Sequence, residues 1–154
     1  MADSRRETAI QSVITELEKI QVDNGYETDT GLYVQRGVVT YTVSDLPAIA
    51  VLDNGSGYTV QMTGVTQEDI FLSVNISNRL GALNSSVMGN KLIADVYKAV
   101  MAHDWGTDAI IEDVIPVDTL TNFAPNNLFI VGCVITFQIS INFDFNNPYT
   151  GTNV

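Results

Sequence analysis

One histidine, His103, stands beside Asp104 and Trp105. An imidazole next to a carboxylate is the least that general-base chemistry or a metal ligand set requires. Adjacent helical positions point in different directions, and no second His or further Cys completes a zinc site. His103 is therefore expected as a cation near a helix C-terminus, where the helix dipole favours it. Carboxylates offer a second route, since Asp and Glu hold Ca²⁺ or Mg²⁺ unaided. The run VDNGYETDTG supplies Asp23, Asn24, Glu27 and Asp29, but not in EF-hand spacing. Glu112-Asp113 is expected in a strand, with its two carboxylates on opposite faces. DNGSGYT has two glycines but neither the Lys nor the following helix of a phosphate-binding loop, and GxSxG is absent. Cys133, the only cysteine, lies in an apolar run and reads as a small hydrophobe. Trp105 reads as a core plug. No catalytic, cofactor-binding or metal-binding residue is expected, and no cofactor.

The charge balance narrows the partners. Seven Lys+Arg face eighteen Asp+Glu, for a net charge of −11. Phosphate binding needs clustered cations, and the one adjacent pair, Arg5-Arg6, reads as the solvated first turn of a helix. So acidic a surface repels DNA, yet would suit a wall that DNA slides past. An apolar fraction of 45% with 16% charged residues indicates a globular chain. No run approaches the roughly 18 apolar residues that span a bilayer. MADSRRETAIQ lacks the apolar stretch of a signal peptide, so folding in a cytoplasm is expected.

The elements that must position these residues begin with a helix. Ser4 or Asp3 caps it, Glu7 stands at capping-box spacing, and Ile10, Val13, Ile14, Leu17 and Ile20 form its apolar stripe. Gln11, Glu16 and Lys19 fall between them, and Asn24-Gly25 ends it. Leu32 and Val34 open a period of two, which Gly37 breaks before VVTYTV. AIAVLD after Pro47 reads as a strand buried on both faces. Asp53–Gly57 reads as a hairpin turn before Tyr58, Val60 and Met62. Ile70, Leu72, Val74 and Ile76 mark a further strand. A second helix is expected from Ser86 to about His103, with Leu92, Ile93, Val96, Tyr97, Val100 and Met101 buried and Lys91, Asp95 and Lys98 facing out. AIIEDVIPV reads as a strand that ends at Pro116 or lies at a sheet edge. From Ile135 to Phe145, apolar and polar residues alternate strictly. Before them Leu128, Phe129, Ile130, Val131 and Val134 are apolar on both faces. Strands in runs rather than in alternation with helices define an α+β class. The sheet is expected to be largely antiparallel, with two amphipathic helices on one face. Residues 1–154 form a single domain without repeats.

Several segments together resemble the tail terminator, or tail completion, proteins of tailed bacteriophages. These are the helix ETAIQSVITELEKI, the loop NGYETDTG, a strand carrying Arg36-Gly37, LPAIAVLD, a helix ending AVMAHDW, and a final strand running into Phe143-Asp144-Phe145 and Asn146-Asn147-Pro148-Tyr149. The likeness covers nearly the whole chain as an order of elements with loose motifs. It implies a structural virion protein, assembled in a host cytoplasm, that closes into a ring, typically a hexamer. Such a ring caps the tail tube, ends its polymerisation and meets the head–tail connector protein, with DNA only as passing cargo. The implied partners are thus copies of itself, the tube protein and the connector. Two departures stand out: TNFAPNN is unusually polar, and the chain ends soon after the last strand. Leu128, Ile130 and Val134 are candidate subunit or tail contacts, and Phe123 and Asn126 a candidate contact loop. The Leu128–Val134 stretch would look the same in a central strand covered on both sides. Another neck or head–tail joining protein, a tube subunit, or a non-viral acidic binding module are the competing readings.

Overall fold

The structure, a computed structural model, describes residues 3–37, 46–60, 66–79, 84–107, 110–122, 130–143 and 148. Helix α1 (Arg5–Leu17) starts where its cap predicts, with the Ser4 hydroxyl accepting the Glu7 N–H at 3.0 Å. The Glu7 carboxylate leaves the capping box open and pairs with Arg36 instead. The expected stripe is buried, but Glu16 joins it. The helix stops at Leu17, earlier than Asn24-Gly25. Ile20 is fully buried beyond its end, and a 3-10 turn over Val22–Asn24 closes on Gly25 at φ 90°. A residue with a Cβ is strained there, so Gly25 ends the turn rather than the helix.

Strand β1 (Val34–Arg36) is short and runs parallel to β2 (Ala48–Val60). Leu32 sits in a 3-10 turn ahead of it and is exposed. Gly37 breaks β1 as expected; the VVTYTV run lies outside the described residues. Ala48, Ile49, Ala50 and Val51 are buried in succession, the two-sided burial that AIAVLD predicts.

The hairpin turn expected at Asp53–Gly57 is not formed. β2 runs straight through it and pairs antiparallel with β3 (Thr66–Arg79) along its whole length. The register shifts between Asp53 and Ser56, where the extra residue is taken up by a β-bulge with Gly55 at φ 95°. Two predicted strands are therefore one. Three described strands lie between the helices.

Helix α2 (Ser85–Met101) is capped by the Asn84 side chain, which accepts the Ser86 N–H. Leu92, Val96 and Val100 are fully buried and Ile93 and Tyr97 half-buried, but Met101 is exposed. Trp105 is buried just past the helix, and its indole N–H donates to the Val100 carbonyl at 2.7 Å. Strand β4 (Ile111–Asn122) then pairs with β5 (Ile130–Phe143), giving the strand order β1-β2-β3-β5-β4. Among the described strands, β1 with β2 is the one parallel pair. The protein is an α+β fold with a largely antiparallel sheet.

Alternation in β5 decides which face is inside. Ile135, Phe137, Ile139 and Ile141 are fully buried, as are Ile70, Leu72 and Val74 opposite them in β3. Each such side chain stabilises the fold by roughly 1.5–3 kcal/mol. Both helices pack on this face, against β5 and against each other. The Tyr97 ring meets Phe137 edge-on, and its hydroxyl bonds Thr119 of β4 at 2.7 Å. At the start of α1, the Arg5 N–H donates to the Pro148 carbonyl, tying the end of the chain to its beginning.

Candidate assembly surface

The groups with chemical potential resolve mainly into structural contacts. His103 lies two residues past α2 and stacks edge-on against Trp105, 4.4 Å between centroids. Its Nδ1 is 3.3 Å from Glu16 rather than paired with Asp104, and Glu16 also takes both its bonds to Lys19. Asp104 accepts the Gly106 N–H. Among the described residues, no hydroxyl or thiol is hydrogen-bonded to the imidazole, and no group of three His, Cys, Asp or Glu is placed to hold a metal ion. Cys133 is buried and its thiol is pushed up to about 12 by desolvation, which keeps it protonated.

Two polar clusters have roles that the sequence reading assigned wrongly. Asp95, expected on the wet face of α2, is buried and takes three hydrogen bonds from the 27–30 loop. The donors are the Glu27 N–H at 3.1 Å, the Thr28 N–H at 2.8 Å and the Thr28 hydroxyl at 2.7 Å. The VDNGYETDTG loop is thus clamped to α2 by a carboxylate. Within it, Asp29 accepts the Val22 N–H and Glu27 pairs with Lys91.

Arg6, expected in a solvated first turn, reaches the β2 bulge. Its guanidinium binds Asp53, Ser56 and Glu68 together, at 3.0 Å to the Glu68 carboxylate. Glu68 is fully buried on the inner face of β3, and its second oxygen has no hydrogen-bond partner. The arginine holds the Asp53 carboxyl below its ordinary range, and the two carboxylates hold the guanidinium's proton more tightly. This cluster pins α1 to β2 and β3.

On the sheet face opposite the helices, Ala48 and Ala50 of β2 are buried, and among the described residues the accessible part lies toward β4 and β5. Register places Asn75, Leu120 and Val134 side by side there, in β3, β4 and β5. A shallow groove of about 500 Å³ opens where these strands meet, with Gly132 leaving room in its floor. Ile130 and Val134, two of the contact residues expected from sequence, lie on this outer face and are half-buried. Leu128, Phe123 and Asn126 lie outside the described residues.

Strand β4 borders this face at the edge of the sheet, as Pro116 suggested, but it continues to Asn122. Ile115, Val117 and Leu120 on it are exposed, Leu120 by 62%. Bulges fall between Ile111 and Asp113 and between Pro116 and Asp118. The first falls at Glu112, and Glu112 and Asp113 are both exposed. Sequence reading missed the Val117–Leu120 ridge, because Asp118 and Thr119 between them look like a polar strand end. No helix among the described residues is long and apolar enough to cross a membrane. No protein-family model matches the chain, and no curated protein matches it.

Proposed function

We propose that the chain is a structural assembly protein of the tail-terminator kind, which closes into a ring and ends a bacteriophage tail tube beneath the head connector. The observation that carries this reading is the asymmetry of the sheet. One face is covered by two helices; toward β4 and β5 the other presents half-buried Ile130 and Val134 and an open groove beside an apolar edge. A surface of that kind is completed by another polypeptide. The polar clusters brace α1 and the 27–30 loop, holding in place the fold that carries this surface. The edge strand favours termination over stacking: two bulges and a proline interrupt β4, devices that discourage strand-by-strand growth. The acidic surface fits a ring through which DNA passes without sticking.

The test is to polymerise purified tube subunits with and without the protein and to measure tube lengths by electron microscopy. Shortened tubes with the protein at one end support the reading. Incorporation along the tube makes it a tube subunit, and tubes of unchanged length with no bound protein refute it.

A further inference from the structure

The charges around the β4 ridge specify what can cover it. Three exposed apolar side chains, Ile115, Val117 and Leu120, are interspersed with three exposed carboxylates, Glu112, Asp113 and Asp118, and β4 has no Lys, Arg or His. Asp118 lies inside the ridge, between Val117 and Leu120. Any two-fold pairing of β4 with a second copy, centred on the ridge, therefore brings Asp118 next to its own symmetry mate. Like charges opposite one another across paired strands are destabilising. A different surface of a second copy offers little relief, because at least five of the seven Lys and Arg residues are already engaged within the chain. Arg6, Lys19, Arg36 and Lys91 are in ion pairs, and Lys98 binds the Gly25 carbonyl and sits 4.7 Å over the Tyr26 ring.

We propose that the β4 ridge is the docking surface for a different protein, whose contact surface is apolar and carries Lys or Arg. The apolar side chains supply the buried area and the three carboxylates select the partner by charge. From Asp118 onward β4 runs in unbroken register with β5, so this part of the edge has regular backbone groups to offer a partner segment. The ridge meets the outer-face groove at Leu120, while its Ile115–Asp118 part lies outside the groove and is separable from ring formation, which would use the groove with Ile130 and Val134.

The test uses a synthetic peptide alternating Lys and Val as the probe and one alternating Glu and Val as its counterpart, with binding read by fluorescence anisotropy at physiological salt. Three variants of the full chain are compared. Glu112→Gln/Asp113→Asn/Asp118→Asn neutralises the ridge while keeping the side-chain oxygens that accept the Val114 and Thr119 N–H groups. Ile115→Ser/Val117→Ser removes its apolar part outside the groove. Glu18→Gln/Asp23→Asn/Asp104→Asn removes as many exposed carboxylates elsewhere. The Lys–Val peptide is expected to bind and the Glu–Val peptide not. Both β4 variants should weaken binding about tenfold or more, the control by less than about twofold, with the native mass unchanged throughout. No binding, or an equal loss in the control, overturns the proposal. A fall in native mass in the Ser variant also overturns it, since that assigns the ridge to a second copy. A wild-type protein that is monomeric and binds no tail tube would refute the ring and leave this assignment intact.

Discussion

Arg6→Met removes the guanidinium that joins α1 to β2 and β3 while keeping most of the side chain's apolar stem. The variant leaves Glu68, which is fully buried and has one oxygen without a partner, with no cation at all. Breaking a buried ion pair from one side costs about 3–5 kcal/mol. That figure is reduced here because the Arg6 side chain is 28% exposed, and the Asp53 pair is nearer the surface, where such pairs contribute little. A loss of about 2–3 kcal/mol follows, or roughly 5–10 °C in Tm for a chain of this size. Urea unfolding at pH 7, followed by circular dichroism, measures it. Arg6→Met/Glu68→Leu should recover most of the loss, since an apolar pair replaces a charge pair at small cost. The pH dependence adds a second signature. The Arg6 hydrogen bond lowers Asp53 from its ordinary 3.8 in the folded state, so its stabilisation is present above that value and is lost as pH falls through the folded pKa. Arg6→Met should therefore flatten the acid limb of the stability curve. A single variant within about 0.5 kcal/mol of the parent, or a double variant no better than the single, would refute the reasoning.

Other substitutions probe the same framework. Asp95→Ala leaves the buried Thr28 N–H without its acceptor and should cost about 2–4 kcal/mol, with hydrogen exchange at Glu27 and Thr28 rising first; unchanged exchange there would deny the clamp. Gly31→Ala puts a Cβ 2.6 Å from the Leu17 carbonyl oxygen and 2.7 Å from that of Ile20, so thermal unfolding should show a loss of about 1–3 kcal/mol. The Cys133 thiol, held at about 12 by burial, should resist alkylation at pH 8 in the native protein and react promptly in urea.

The sequence made the α+β class readable through β5, where inward Ile135, Phe137, Ile139 and Ile141 alternate with polar residues and admit only a strand facing a core on one side. The buried charges were legible by position and hidden by chemistry. Asp95 stands at helical spacing from Leu92 and Ala99, on the buried stripe of α2. Glu68 shares the parity of Ile70 and Leu72, and Arg6 lies one turn before Ile10 on the inner face of α1. Asp95 and Arg6 were assigned to solvent because a charge normally seeks it; a partner on another element reversed that preference, and local pattern carries no information about the partner. The bulge at Asp53–Ser56 was misread for a related reason. Asp-Asn-Gly-Ser-Gly favours a hairpin turn locally, but pairing with β3 on both sides of it and the Arg6 contact keep β2 in the sheet. For the assembly surface, the sequence marked Ile130 and Val134 only as part of a stretch apolar on both faces, and the pairing with β3 puts them on the outer one, whereas the β4 ridge depends on two bulges that break alternation.

Ring closure is tested most directly by the native mass of the purified protein, with negative-stain images of the same sample. A closed ring of about six subunits gives a mass near six times 16.8 kDa and a uniform annulus, the expected result. A protein that stays monomeric at high concentration, and stays unbound when isolated tail tubes are added, contradicts the assignment.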